Sequence, residues 1–211
     1  MSAATRTSPR PTTRIRSRRT AALSSVGAAV AALLLSACTS GGTSGGGGNT
    51  NFVLGKDGIA TADKGERAAA PDLSGETVDG KQLDIAAFKG KVIVLNVWGS
   101  WCPPCRAEAS GFEKVSQDLK DQGVQFVGIN TRDTSTSPAR AFEKQYGVSY
   151  QSLYDPTGKL MLRFAKGGTL NPQAIPSTLV IDRDGKIAAR SLSALSEEKL
   201  RKMISPVLAE K

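Results

Sequence analysis

Trp101 Cys102 Pro103 Pro104 Cys105 is the stretch that decides how this chain folds. An apolar run from Val92 to Trp98 leads into it, and a segment of helical periodicity follows at once. Two cysteines in C-x-x-C spacing therefore stand where a buried strand turns into a helix. The first turn of a helix presents unpaired N–H groups and partial positive charge, which favour a thiolate over a thiol. Cys102 is the expected nucleophile, with Cys105 one turn behind it to close a disulfide. Pro103 and Pro104 stiffen the loop and carry no N–H to stabilise a thiolate.

The inventory of ligands narrows the chemistry. The chain has three cysteines and no histidine, so a four-ligand zinc site or an iron–sulfur cluster lacks ligands. Arg106 follows Cys105 where a haem attachment motif has histidine. No metal and no cofactor is expected. An inert stapling disulfide is the competing reading, but so short a loop constrains the unfolded chain little.

Working outward, Gly90 Lys91 launches a strand from Val92 to Val97 whose unbroken apolar character suits a sheet centre covered on both faces. Upstream, Leu73 to Val78 and Lys81 to Leu83 flank Asp79 Gly80 and read as a hairpin, followed by a short helical turn from Asp84 to Phe88. Behind the cysteines, Glu108, Phe112, Val115 and Leu119 share one helix face. A second central strand spans Val124 to Ile129. A helix capped by Ser137, with Pro138 at its first position, runs to Tyr146.

A short strand from Gln151 to Tyr154, a helical segment from Lys159 to Phe164 and an irregular loop from Ala165 to Ala174 come next. The strand Ser177 to Ile181 then pairs with Lys186 to Arg190. The last helix starts at Ser196, and Pro206 predicts a kink or an early end. Strand and helix alternate first and antiparallel strands close the order, which argues for an α/β domain with a mixed sheet and helices on both faces.

The N-terminal region has a different composition. Residues 1–20 hold six arginines and no acidic residue, and Ala21 to Leu35 is apolar but short for a membrane span. This is a secretory signal pattern. Leu35 Ser36 Ala37 Cys38 resembles the lipobox of bacterial lipoproteins, which makes Cys38 the expected lipidated residue; an ordinary cysteine beside an uncleaved anchor is the alternative. Ser17 Arg18 Arg19 leaves general secretory and twin-arginine export both open. The expected organisation is a lipoprotein signal over 1–37, the lipidated cysteine and a Gly/Ser-rich tether over 38–69, and one domain over 70–211. Residues 51–69 show no period and read as a loosely ordered lead-in.

Six of the 28 Lys+Arg lie in the signal, leaving 22 against 19 acidic residues, a balance of +3. With no basic stripe interleaved with aromatics, nucleic-acid binding is disfavoured.

The run Val94 Leu95 Asn96 Val97 Trp98 Gly99 Ser100 Trp101 Cys102 Pro103 Pro104 Cys105 Arg106 Ala107 Glu108 resembles the active site of TlpA/ResA-type, membrane-tethered thiol–disulfide oxidoreductases of the thioredoxin superfamily. Ala70 Pro71 Asp72 Leu73, Phe88 Lys89 Gly90 Lys91 and Ile175 Pro176 Ser177 Thr178 match the same family, and the likeness covers about Ala70 to Ile204. The resemblance implies a thioredoxin fold with an N-terminal β-hairpin and a central inserted helix. It implies that Pro176 is a cis-proline facing the cysteines, and that Ile175 offers backbone groups to an extended substrate segment. Trp98 and Trp101 then divide between core and a surface for partner contact.

Asn96 stands where thioredoxins carry a buried aspartate that assists proton transfer. An amide cannot take a proton, so Glu108 becomes the candidate, with burial raising its pKa. An exposed glutamate on the helix dipole is the alternative.

The implied activity is exchange of electrons with protein thiols and disulfides at the extracytoplasmic face of the membrane. Most consistent with the resemblance is a reductant supplied by a membrane electron-transfer partner, as in cytochrome c maturation. The alternatives are a disulfide-forming oxidase for exported proteins and a non-enzymatic binding lipoprotein. A peroxidase of this fold would need threonine where Gly99 stands.

Overall fold

The structure, a computed structural model, describes residues 51–165 and 167–210; the expected signal peptide, Cys38 and the tether through residue 50 lie outside the described residues. In chain order the elements are β1 (Val53–Leu54), β2 (Ile59–Thr61), β3 (Ser74–Glu76), β4 (Gln82–Asp84), β5 (Val92–Trp98), α1 (Pro103–Leu119), β6 (Val124–Thr131), α2 (Thr136–Tyr146), β7 (Ser152–Asp155), α3 (Lys159–Ala165), β8 (Ser177–Ile181), β9 (Ile187–Ser191) and α4 (Glu197–Ala209). A 3-10 turn over Ile85–Phe88 precedes β5, capped by the Asp84 side chain accepting from the Ala86 N–H.

The main sheet has the order β1-β2-β9-β8-β5-β6-β7 among the described residues. β5, β6 and β7 run parallel, whereas β8, β9, β2 and β1 pair antiparallel. β3 and β4 form a separate hairpin that touches the sheet edge through a bridge from Thr77 to Leu153.

All seven residues of β5 are buried, and its alternation explains why. Val92 and Val94 point into a cluster with Phe112 and Val115 of α1 and Leu200, Met203, Ile204 and Val207 of α4. Ile93, Leu95 and Val97 point the other way, against Leu160, Met161 and Phe164 of α3. A strand sandwiched between two helix layers has no polar face to spare. The mixed α/β thioredoxin-like architecture expected from the resemblance is the one observed.

Three local expectations are corrected. Residues 51–69 are not a loosely ordered lead-in. β2 pairs with β9 from Ile59 to Thr61, burying Ile59 and Ala60, and β1 folds back on β2 through a turn in which Gly58 has φ 84°. Strands of two and three residues leave no readable period. Arg67 then clasps this segment to the rest. Its guanidinium donates to Asp182 at 2.9 Å and to Glu210 at 2.6 Å, and its Nε to the Ala62 carbonyl.

The second correction concerns α2, whose N-cap is Ser135 rather than Ser137, placing Pro138 inside the first turn, where its missing N–H has no helical partner to lose. Third, of the kink or early end expected at Pro206 the early end does not occur: α4 continues to Ala209, with Val207 in the core and Leu208 packed against it.

Candidate active site

The carboxyl end of β5 delivers the chain straight into the cysteine loop. Gly99 is required there: a Cβ on it would lie 2.6 Å from the Trp101 indole nitrogen and 3.1 Å from the Thr131 carbonyl oxygen. Without a side chain the backbone folds under Trp101, whose N–H donates to that same carbonyl at 3.3 Å. Cys102 is the N-cap of α1, and Pro103 and Pro104 occupy its first positions.

Cys102 and Cys105 form a disulfide, and both residues are about 1 % exposed. The Cys105 N–H points at Cys102 Sγ at 3.3 Å. Opposite, the Ile175–Pro176 peptide is cis, and the Ile175 carbonyl oxygen lies 3.8 Å from Cys102 Sγ. Pro176 is buried and Ile175 half-buried. Of the two tryptophans, Trp98 is buried and stacks on Phe142 of α2 with centroids 4.4 Å apart. Trp101 is 43 % exposed beside the disulfide. The structure thus brings Trp101, Cys102, Cys105, Ile175 and Pro176 together, whereas Cys38 lies outside the described residues.

Glu108 is buried, one turn beyond Cys105 on α1. Its Oε1 accepts from the Asn96 amide of β5 at 3.0 Å and its Oε2 from the Leu195 N–H at 3.0 Å. Burial pushes its carboxyl up to about 7, against the downward pull of the Leu195 and Asn96 hydrogen bonds. A carboxyl titrating there both takes and releases a proton near neutral pH. Asn96, whose amide cannot take up a proton, donates to this carboxyl and holds its orientation.

Several residues that shape the site carry no signal in the sequence. Asp133, beyond the end of β6, is buried, and its carboxylate accepts from the Ser100 N–H at 2.9 Å, the Ser100 hydroxyl at 2.5 Å and the Asn130 amide at 2.6 Å. It fixes the loop before the cysteines. Arg132, with φ 60°, turns its guanidinium onto the Pro172 carbonyl at 2.6 Å and the Gln173 side-chain oxygen at 3.3 Å. Arg190 holds the same loop through the carbonyls of Gly168 and Thr169. The irregular loop ahead of Pro176 is therefore pinned by two arginines. Glu143 of α2 is a second carboxyl raised to about 7 by burial, with the Ser152 hydroxyl opposing the shift; that hydroxyl also receives the Trp98 indole N–H at 3.3 Å.

The arrangement pairs a disulfide at a helix N-terminus with an exposed aromatic, a cis-proline loop and a buried carboxyl one helical turn beyond the second cysteine. Its likeness to known proteins follows the same lines. Over 140 residues the chain is 28 % identical to the thiol–disulfide oxidoreductase ResA of Bacillus anthracis, covering 65 % of this chain and 77 % of that protein. Over 152 residues it is 32 % identical to the thiol:disulfide interchange protein HelX of Rhodobacter capsulatus, covering 72 % and 80 %. Among solved structures, a secreted thiol–disulfide isomerase from Corynebacterium glutamicum superposes with a TM-score of 0.68 at 30 % identity, covering 78 % of this chain and 100 % of that one. The Redoxin family model matches residues 64–204. With that match spanning β3 to β9, the cysteine helix and the cis-proline loop, the chain belongs to the Redoxin family, and its chemistry is thiol–disulfide exchange.

Proposed function

We propose that the protein is an extracytoplasmic reductant of protein disulfides, held at the membrane through Cys38 and recharged by a membrane electron donor. The observation that carries the direction is the sparse support for a Cys102 thiolate. Pro103 and Pro104 remove two N–H donors from the first turn of α1, and the Cys105 N–H at 3.3 Å is what remains pointing at Cys102 Sγ. A couple whose reduced form is strongly stabilised is an oxidant, as in DsbA; one lacking that stabilisation is a reductant. The membrane location is supported by the lipobox-like run ending at Cys38.

In the reaction, the Cys102 thiolate attacks a substrate disulfide and forms a mixed disulfide, releasing one substrate sulfur as a thiolate. Cys105 then attacks Cys102 Sγ, giving its proton to the Glu108 carboxylate. The Cys102–Cys105 disulfide forms, the second substrate sulfur leaves, and the substrate has gained two electrons. Trp101 and the backbone of Ile175 provide the surface on which the substrate segment lies, and the buried Pro176 shapes it.

The reduction potential of the Cys102–Cys105 couple, equilibrated against glutathione or dithiothreitol, tests the direction. A value of about −270 mV is expected, and one near −120 mV would refute the reductant reading. Membrane fractionation of Cys38→Ala tests the anchor, since release is expected and retention refutes lipidation. The second reading is a catalyst that forms or rearranges disulfides in exported proteins, favoured by the likeness to the secreted Corynebacterium isomerase.

A further inference from the structure

The disulfide is framed by three segments: residues 99–107, which lead into α1 and include its first turn, residues 131–135 from the last residue of β6 onward, and residues 167–176 ahead of β8. Among the described residues of these loops, the charged side chains are Arg106, Arg132 and Asp133. Asp133 is 4 % exposed and turned inward, its carboxylate taken up by Ser100 and Asn130. Both arginines are exposed, and neither is among the ion pairs of the described residues.

Neutral partners hold both guanidinium groups in place. Arg106 donates through Nε and Nη2 to the Ser100 carbonyl, at 3.0 and 2.6 Å, two residues before Cys102. Arg132 donates through Nη2 to Pro172 and Gln173, a few residues before the Ile175 carbonyl that meets Cys102 Sγ. Trp101 lies between these loops, tied by its indole N–H to Thr131, the neighbour of Arg132. The open rim of the site is an apolar plate flanked by two fixed cations that form no ion pair among the described residues.

From this we infer that the site selects segments carrying Asp or Glu within a few residues of the reacting cysteine. The inference rests on the exchange reading above and adds to it the charge of the substrate. A segment crossing Trp101 to reach Cys102 would bring its flanking side chains over Arg106 on one side and Arg132 on the other. Acidic flanks would complete ion pairs there, with Arg offering planar donors that match carboxylates. Basic flanks would meet like charge, which disfavours the wrong partner more than affinity alone would.

The test uses the full chain in detergent, reduced and freed of reductant, and compares second-order rate constants for three disulfides. Two are peptides closed by one disulfide and identical except for Asp or Lys on either side of the attacked cysteine; the third is neutral bis(2-hydroxyethyl) disulfide. The acid-flanked peptide is expected to react about tenfold faster than the Lys-flanked one at low ionic strength. That ratio should shrink to about twofold or less near 1 M salt, where the screening length is about 3 Å. Arg106→Gln with Arg132→Gln should bring the ratio to about one, and Lys at both positions should keep most of it. The ratio cancels any change the variants make in thiolate reactivity. A ratio near one in the wild type, a ratio indifferent to salt, or one that survives the double Gln variant overturns the inference. Reduction of the neutral disulfide without charge preference overturns the rim alone; no reaction with any of the three overturns the exchange reading beneath it.

Discussion

Glu108→Gln should make the oxidised protein more stable at pH 8 and slightly less stable at pH 5. In the fold the carboxyl titrates at about 7, against an ordinary value of 4.5. Between those two values the folded protein binds more protons than the unfolded chain, so stability falls as pH rises and the loss is complete above pH 7. The size of that loss is about 3 kcal/mol. A glutamine escapes it. Its oxygen can accept from the Leu195 N–H and its NH2 group can donate to Asn96 once that amide turns over, at a cost of about 1 kcal/mol because these bonds match the pocket less well than those of the protonated carboxyl. The variant should thus gain roughly 2 kcal/mol at pH 8 and lose about 1 kcal/mol at pH 5.

Urea unfolding of both proteins across this range, with the disulfide kept closed, reads the difference directly. The comparison must be between the two proteins, because Glu143 is raised to about 7 as well and bends both stability curves in the same sense. A difference that stays constant with pH would mean that Glu108 keeps its charge in the core, and the reasoning would fail. In exchange assays the same variant should flatten the pH profile near 7, and an unaltered profile would remove Glu108 from the proton path.

Three further outcomes are expected. Arg67→Ala should cost about 3 kcal/mol, because Asp182, 5 % exposed in its side chain, loses its cationic partner; a loss below about 1 kcal/mol in urea unfolding would show that residues 51–69 are not integral to the domain. Gly99→Ala should force Trp101 off the Thr131 carbonyl, costing about 1–3 kcal/mol and shifting tryptophan fluorescence; an unchanged spectrum and stability would contradict the packing described. Cys105→Ser should accumulate a mixed disulfide with substrate at Cys102, seen as an added mass that reductant removes, and Cys102→Ser should be inactive. Normal turnover in either variant would sink the two-cysteine mechanism.

The sheet centre and the cysteine helix were legible because they carry strong patterns. Val92 to Trp98 is apolar without a break, and Phe112, Val115 and Leu119 repeat at helical spacing behind Cys105. The parts that escaped depend on contacts between distant residues. β2 is three residues long and exists because β9 offers it a ladder and Arg67 ties it down. Ser135 takes the N-cap position without a side-chain capping hydrogen bond, so no local chemistry marks it over Ser137. Pro206 reads as a helix breaker, yet burial of Val207 outweighs one missing hydrogen bond. Asp133 and Arg132 belong to no pattern in the sequence. Only the fold brings them to Ser100 and Pro172.

The outermost strand has a mechanical consequence. β1 is joined to the sheet by two residue pairs, and Val53 and Leu54 are 66 % and 63 % exposed, so its apolar hold is the half-buried Phe52 just before it, under the Arg190 guanidinium at 4.6 Å. β2 is far better secured, by its ladder to β9 and by the Arg67 clasp. A pull on the N-terminal side would therefore peel β1 away first, like a zip from its open end, and halt at β2. The residues freed before β2 would extend by roughly 20 Å at about 3.4 Å each. A chain held at Cys38 would then carry its own slack, a leash that lengthens under load while the cysteine helix and the proline loop stay in register.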